Sequence, residues 1–147
     1  MRFKEALKAG ETVEYLILEI IRRKYPDAYK VDGKFSGYDL FVPDYGGVEV
    51  KTDTKSEETN NFVVEVEMYD KPSALSITTA KMWVFVTNEI AIYIRPEMIR
   101  KYIYTSNIRS VRFTGNGDTV PKIAYLIKVK EIEALADKIC LSPLVKK

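Results

Sequence analysis

The chain of 147 residues contains no histidine, no glutamine and a single cysteine, Cys140. Without histidine there is no Ser-His-Asp triad, no imidazole general base and no histidine-ligated zinc. One cysteine allows neither an intramolecular disulfide nor a thiolate metal cluster, and points to a reducing compartment. No run of eighteen apolar residues is present, so no membrane span is expected. The first residues, Met1-Arg2-Phe3-Lys4-Glu5, lack the apolar stretch of a signal peptide. The expected location is the cytoplasm, or a host's cytoplasm for a viral protein. Any enzymatic chemistry must then rest on carboxylates, lysines, arginines, tyrosines or hydroxyls, with a hard cation such as magnesium or manganese as the matching metal.

What is present reads as one ordinary domain, 46% hydrophobic and 30% charged, with a net charge of +2. That weakly basic balance permits a nucleic-acid partner without requiring one. No internal repeat, low-complexity run or linker divides the chain. Residues 6–24 carry Val13, Leu16, Ile17, Ile20 and Ile21 at the spacing of one apolar helical stripe, and Pro26 lies just past the end.

A short strand is expected over 28–31, then strands over 37–42, 48–52 and 62–69. A turn at Pro43-Asp44-Tyr45-Gly46-Gly47 should join the first two of these three, all antiparallel in one sheet. The polar segment 53–61 reads as a mobile loop, and 72–80 as a loop with a short helix. Strands over 82–86 and 90–94 should pair through Thr87-Asn88-Glu89, followed by a helix over 96–104 that starts on proline. Strands over 110–113 and 123–129 flank a turn at Gly115-Asn116-Gly117-Asp118, and 130–139 reads as a closing helix. The expected class is α/β, a mixed sheet with helices on its faces.

Side chains alternate faces along a strand, so Glu49 and Lys51 share one face while Val48 and Val50 share the other. A hairpin symmetric about Tyr45 sets Asp39 across from Lys51 and diagonal to Glu49. Two carboxylates and an ammonium then meet on one patch. Carboxylate oxygens can hold magnesium, which polarises a phosphodiester and acidifies a water, while a lysine stabilises charge on the phosphoryl group. On the helix, Glu14 lies beside Ile17 and Ile21 on the side of Gly10, whereas Glu11 and Glu19 point outward. Glu14 is thus the helical acid expected to reach the sheet. The plainer alternatives are a cross-strand ion pair between Asp39 and Lys51, or a scaffold that kept its fold and lost its activity.

A helix bearing Gly10-Glu11-Thr12-Val13-Glu14, then Gly37-Tyr38-Asp39-Leu40, a turn, and Val48-Glu49-Val50-Lys51 resembles the PD-(D/E)XK nuclease superfamily. The Gly-x-x-x-Glu helix start is similar to that of archaeal and phage Holliday-junction resolvases. Matching elements cover roughly residues 5–95, leaving 96–147 as a C-terminal extension of the same domain. Tyr38 stands where the motif has its proline. The resemblance implies a restriction-endonuclease-like fold and a magnesium-dependent endonuclease acting on DNA, with branched or junction DNA as the expected substrate and a homodimer as the expected assembly. It implies metal ligation by Asp39, Glu49 and the Val50 main-chain carbonyl, assistance from Glu14, and catalysis by Lys51. The other reading open at this point is a non-catalytic nucleic-acid-binding or assembly module on the same scaffold. Glu65 is a candidate outer ligand, and Arg22, Arg23, Lys24, Lys55 and Lys71 are candidate phosphate contacts. Cys140 is expected to be a buried apolar residue.

Overall fold

The computed structural model describes residues 3–32, 37–114 and 121–145, with the side chains of 3–10 outside that description. Helix α1 (Phe3–Arg22) begins the chain. Strands β1 (Tyr29–Lys30), β2 (Leu40–Val42) and β3 (Gly46–Thr52) follow. Next come a one-turn helix α2 (Ser56–Thr59), β4 (Asn61–Met68) and β5 (Lys71–Pro72). Strands β6 (Met82–Val86) and β7 (Ile90–Ile94) lead to α3 (Pro96–Ser106). The chain ends with β8 (Ser110–Phe113), β9 (Lys122–Lys128), α4 (Val129–Leu135) and β10 (Lys138–Leu141). The class is mixed α/β, as the sequence pattern implies, and no helix among the described residues is long and apolar enough to cross a membrane.

Two sheets form rather than one. The first has the order β1-β2-β3-β6-β7-β10 and the second β5-β4-β9-β8. Expecting 62–69 to pair with 48–52 is therefore wrong: β3 runs parallel to β6, and β4 pairs antiparallel with β9. The reason lies in β6, where Trp83, Val84, Phe85 and Val86 are all buried. A strand buried on both faces needs a layer on each side. Helix α1 covers one face through Val13, Ile17 and Leu18 against Leu40, Val42, Val48, Val50, Val84 and Val86. Strands β4 and β9 cover the other, with Phe62, Val64 and Ile127 against Trp83, Phe85, Ile92 and Ile94, and α3 and α4 add Ile99 and Ile132. Phe62 and Phe85 stack at 4.5 Å between ring centroids.

Three local expectations also change. Segment 53–61 contains α2, whose first residue is tied back to Asp53: the Asp53 carboxylate accepts the Ser56 N–H at 3.0 Å, and its carbonyl accepts the Ser56 hydroxyl at 2.9 Å. The closing helix stops at Leu135, because Ala136 turns to an extended conformation and residues 138–141 pair with β7. Cys140 on that strand is half-buried rather than buried. The turn expected at Gly115–Asp118 falls outside the described residues.

The β2–β3 hairpin centres on Asp44, not Tyr45. Its pairs are Leu40↔Val48, Phe41↔Gly47 and Val42↔Gly46. Pro43 followed by Asp44 at φ 67° makes a tight turn that the Tyr45 N–H closes on the Val42 carbonyl at 3.0 Å. In that register Asp39 falls opposite Glu49 instead of Lys51. Gly47 is needed here for space: a Cβ on it would collide with Cδ1 and Cγ of the Tyr38 ring. That ring packs near Phe41, with centroids 5.7 Å apart. Gly47→Ala should thus push Tyr38 off its seat and cost about 1–3 kcal/mol; thermal melts of the variant beside the parent check this, and an unchanged melting temperature would mean the ring can yield freely.

Candidate active site

Strand β2 stops where the site begins. Asp39 donates its N–H to the Val48 carbonyl at 3.0 Å and offers its own carbonyl to the Val31 N–H at 2.9 Å, then bends out of the ladder. The next amide of β3 on that side, Val50 N–H, finds no backbone partner there and donates to Oδ2 of Asp39 at 2.8 Å. The carboxylate so takes the place of a missing strand residue. A residue's N–H and C=O lie along the same edge of an extended strand, which directs the Val50 carbonyl towards the side Asp39 occupies.

Asp39 is reached from both faces of the sheet. Glu14 comes from α1 and Glu49 from β3, and each carboxyl lies close enough to the Asp39 side chain to feel its charge. Lysines flank the set: Lys30 Nζ lies 3.4 Å from Glu14, and Lys51 Nζ lies 3.4 Å from Glu49. Lys51 also sits 5.2 Å above the Trp83 ring, and the Trp83 indole donates to the Thr78 hydroxyl at 3.2 Å. The Lys51 ammonium is thereby held between a carboxylate and an aromatic face. Its side chain is 37% exposed and that of Glu49 only 17%, so the cation faces solvent while the acid lies behind it.

Of the positions singled out from sequence, Glu14, Asp39, Glu49, Val50 and Lys51 come together, and Glu11 and Glu19 are exposed as their helical angles require. Glu65 does not join them. It lies in the second sheet, where it accepts the Ser73 hydroxyl at 2.8 Å and pairs with Lys122 at 3.6 Å. Arg22 donates to the Ala28 carbonyl at 2.8 Å, closing the end of α1, and Lys24 lies over Tyr25. Lys71 is exposed on β5 of the second sheet. Lys30 and Trp83 were not singled out from sequence. The pairing Lys30↔Leu40 beside Asp39 is the signal that finds Lys30; nothing local in the sequence shows that Trp83 lies under Lys51, because that follows from parallel pairing of β3 with β6.

Among the described residues no three Asp, Glu or Cys side chains enclose an ion by themselves; the acids meet pairwise through Asp39. A cavity of about 300 Å³ opens beside Ile21, Tyr25, Tyr45 and Tyr93, and another of about 560 Å³ beside Leu75, Arg100 and Tyr104. Neither is lined by the acids.

Set against known protein families and curated protein sequences, the chain finds no match in either.

Burial, and then the charge of Asp39 and a hydrogen bond to it, push the Glu14 carboxyl up to about 7 against the pull of Lys30. Burial likewise pushes Glu49 up to about 7, with Lys51 opposing and Asp39 reinforcing the shift. Both folded values lie above the ordinary 4.5, so the folded chain holds these protons more tightly than the unfolded one. Their contribution to stability is complete below pH 4.5 and is lost as pH rises through about 7. Glu14→Gln removes one of the two titrations. Its melting temperature should fall less than the parent's between pH 5 and pH 8, and should exceed the parent's at pH 8; parallel pH slopes in the two melting series would show that Glu14 does not carry the shift.

Proposed function

We propose that the chain is a magnesium- or manganese-dependent endonuclease with a restriction-endonuclease-like core, hydrolysing DNA phosphodiester bonds at the Glu14–Asp39–Glu49–Lys51 edge. The observation that carries this reading is the meeting of Glu14 and Glu49 on Asp39 from opposite faces of the sheet, with Lys51 alongside. A structural ion-pair network has no need of three carboxylates crowded together with only two lysines. Here burial, reinforced by the charge of Asp39, disfavours ionisation of Glu14 and Glu49, and that cost is the kind a divalent cation offsets.

The donor set fits such a cation. All the candidate ligands, the carboxylates of Asp39, Glu49 and Glu14 and the carbonyl of Val50, are hard oxygens. When bound, magnesium would supply charge stabilisation at the phosphate and lower the pKa of a water. The protein's own share falls to the other groups. Val50 N–H fixes the Asp39 carboxylate in the plane of β3. Glu14 and Glu49, with values near 7, can each give or take a proton at neutral pH. Lys51, pinned by Glu49 and Trp83, can stabilise charge that grows on the phosphoryl oxygens or orient the attacking water. Branched DNA cut by a homodimer is the form of substrate and assembly we put forward.

Magnesium should raise the melting temperature more at pH 8 than at pH 5, where protons already occupy the acids. Asp39→Asn keeps an acceptor for Val50 N–H and should abolish that difference; isothermal titration of magnesium into both proteins gives the affinities, and equal binding would place the ion elsewhere. Lys51→Ala should lower cleavage by at least about a hundredfold with DNA binding retained, since the side chain acts on the transition state. The assay uses labelled single strand, duplex, flap, fork and four-way junction, each with and without magnesium. Binding to these substrates with no cleavage in magnesium or manganese would turn the reading into a non-catalytic DNA-binding module.

A further inference from the structure

Four strands end the two sheets: β1 and β10 in the first, β5 and β8 in the second. An edge strand presents unpaired N–H and C=O groups to any other strand, and proteins blunt such edges by brevity, proline or charge. Strand β1 has two residues, and β5 has two including Pro72. Strand β8 carries Arg112, which pairs with Asp70 at 3.2 Å. Strand β10 has four residues and places its one charge, Lys138, at the start. Beyond it, Ile139 is 46% and Leu141 75% exposed.

The register of β10 shows which backbone groups are free. It pairs with β7 as Lys138↔Tyr93, Ile139↔Ile92, Cys140↔Ala91 and Leu141↔Ile90. One step further, the Ser142 N–H donates to the Glu89 carbonyl at 3.1 Å. Hydrogen-bonded and non-hydrogen-bonded pairs alternate in an antiparallel ladder. Ser142 and Cys140 therefore turn their backbone groups towards β7, and Ile139 and Leu141 turn theirs outward.

We propose that two copies of this chain pair antiparallel along β10, with Ile139 opposite the partner's Leu141 and Cys140 on the two-fold axis. In that register both outward-facing residues exchange two hydrogen bonds across the interface, and both exposed apolar side chains gain a cross-strand partner on the same face. Slipping the register by two residues brings Asp137 or Pro143 into the pairing instead. The Asp137 N–H already donates to the Tyr93 carbonyl at 2.8 Å, and Pro143 has no N–H to give. The two six-stranded sheets then join into one. An axis perpendicular to the sheet leaves both α1 helices on the same face. The two β3 strands stand seven strand spacings apart, about 34 Å along the sheet at about 4.8 Å each, before twist shortens the span. If the acid edges cut DNA, as proposed above, two cuts fall on one face of the dimer at roughly a helical turn of duplex. The interface itself rests on β10 alone.

The test uses the full chain, with mass measured by sedimentation equilibrium from about 1 to about 100 μM and Cys140 as a reporter. A non-hydrogen-bonded antiparallel pair sets Cα atoms about 4.5 Å apart, within disulfide range. Copper-catalysed air oxidation, in which two thiols give up two protons and two electrons to oxygen, should link the copies. Expected are a dimer, a covalent dimer on a non-reducing gel that Cys140→Ser lacks, and a dissociation constant raised at least about tenfold by Leu141→Glu with an unchanged melting temperature. A monomer throughout the range overturns the proposal. So does a dimer indifferent to Leu141→Glu, and a dimer that refuses the Cys140 link overturns the register. Mass reads the interface and cleavage reads the acid edge, so either proposal can fail without the other.

Discussion

The hydrogen bond from Val50 N–H to the Asp39 carboxylate joins the fold to the site. A backbone amide left unpaired at a partly buried strand edge costs roughly 1–3 kcal/mol. Here β2 ends one pair too soon to supply a carbonyl, and a side chain fills the gap. That bond fixes the carboxylate in the plane of the sheet, where a glutamate from each face can reach it. Were β2 two residues longer, Tyr38 would stand opposite Val50, the amide would be met by backbone and Asp39 would be an ordinary strand residue. The shortness of β2, set by the bend at Asp39, is what creates the meeting point.

The second layer has an equally specific role. Glu49 and Lys51 lie on the face that packs against β4 and β9, next to Trp83 and Phe85. The sheet face that carries them is thus greasy, not wet. Burial there drives the Glu49 carboxyl upward more than its neighbours' charges do. Lys51 leans across Trp83 with its side chain 37% exposed. One face so yields a proton-holding acid and an exposed ammonium two residues apart, a contrast that alternation along a strand does not by itself produce.

Much of this was legible in the sequence, and the limit has a clear physical form. Local signals were sufficient for α1, β6, β7, α3 and β8, because apolar periodicity and an N-terminal proline are written within a few residues. They were also sufficient to separate Glu14 from Glu11 and Glu19, since angle around a helix follows from spacing. They failed for β4, whose alternation announces a strand with a buried face but not which strand it meets. They failed again at 136–141, where pairing with β7 overrode helical propensity. The hairpin register slipped because the Pro43-Asp44 turn closes on Val42, one place earlier than symmetry about Tyr45 supposes. Lys30 and Trp83 became visible only through pairings, one antiparallel and one parallel, that bring distant residues to the acids.

The pairing of β4 with β9 has a consequence for how the chain is made. Val64 and Tyr125 face each other in the ladder, some sixty residues apart in sequence. At a synthesis rate of about 5–20 residues per second, the strand with Phe62 and Val64 waits roughly 3–12 s for its partner to leave the ribosome. During that interval the face of the sheet opposite α1 lacks Ile127 of β9 and Ile132 of α4, and β4 lacks its ladder partner. The end of the chain therefore completes the core, and a nascent protein cut off before β9 would carry Trp83, Phe85 and Ile92 only partly covered and β4 with an unpaired edge, a form that chaperones recognise and that aggregates readily.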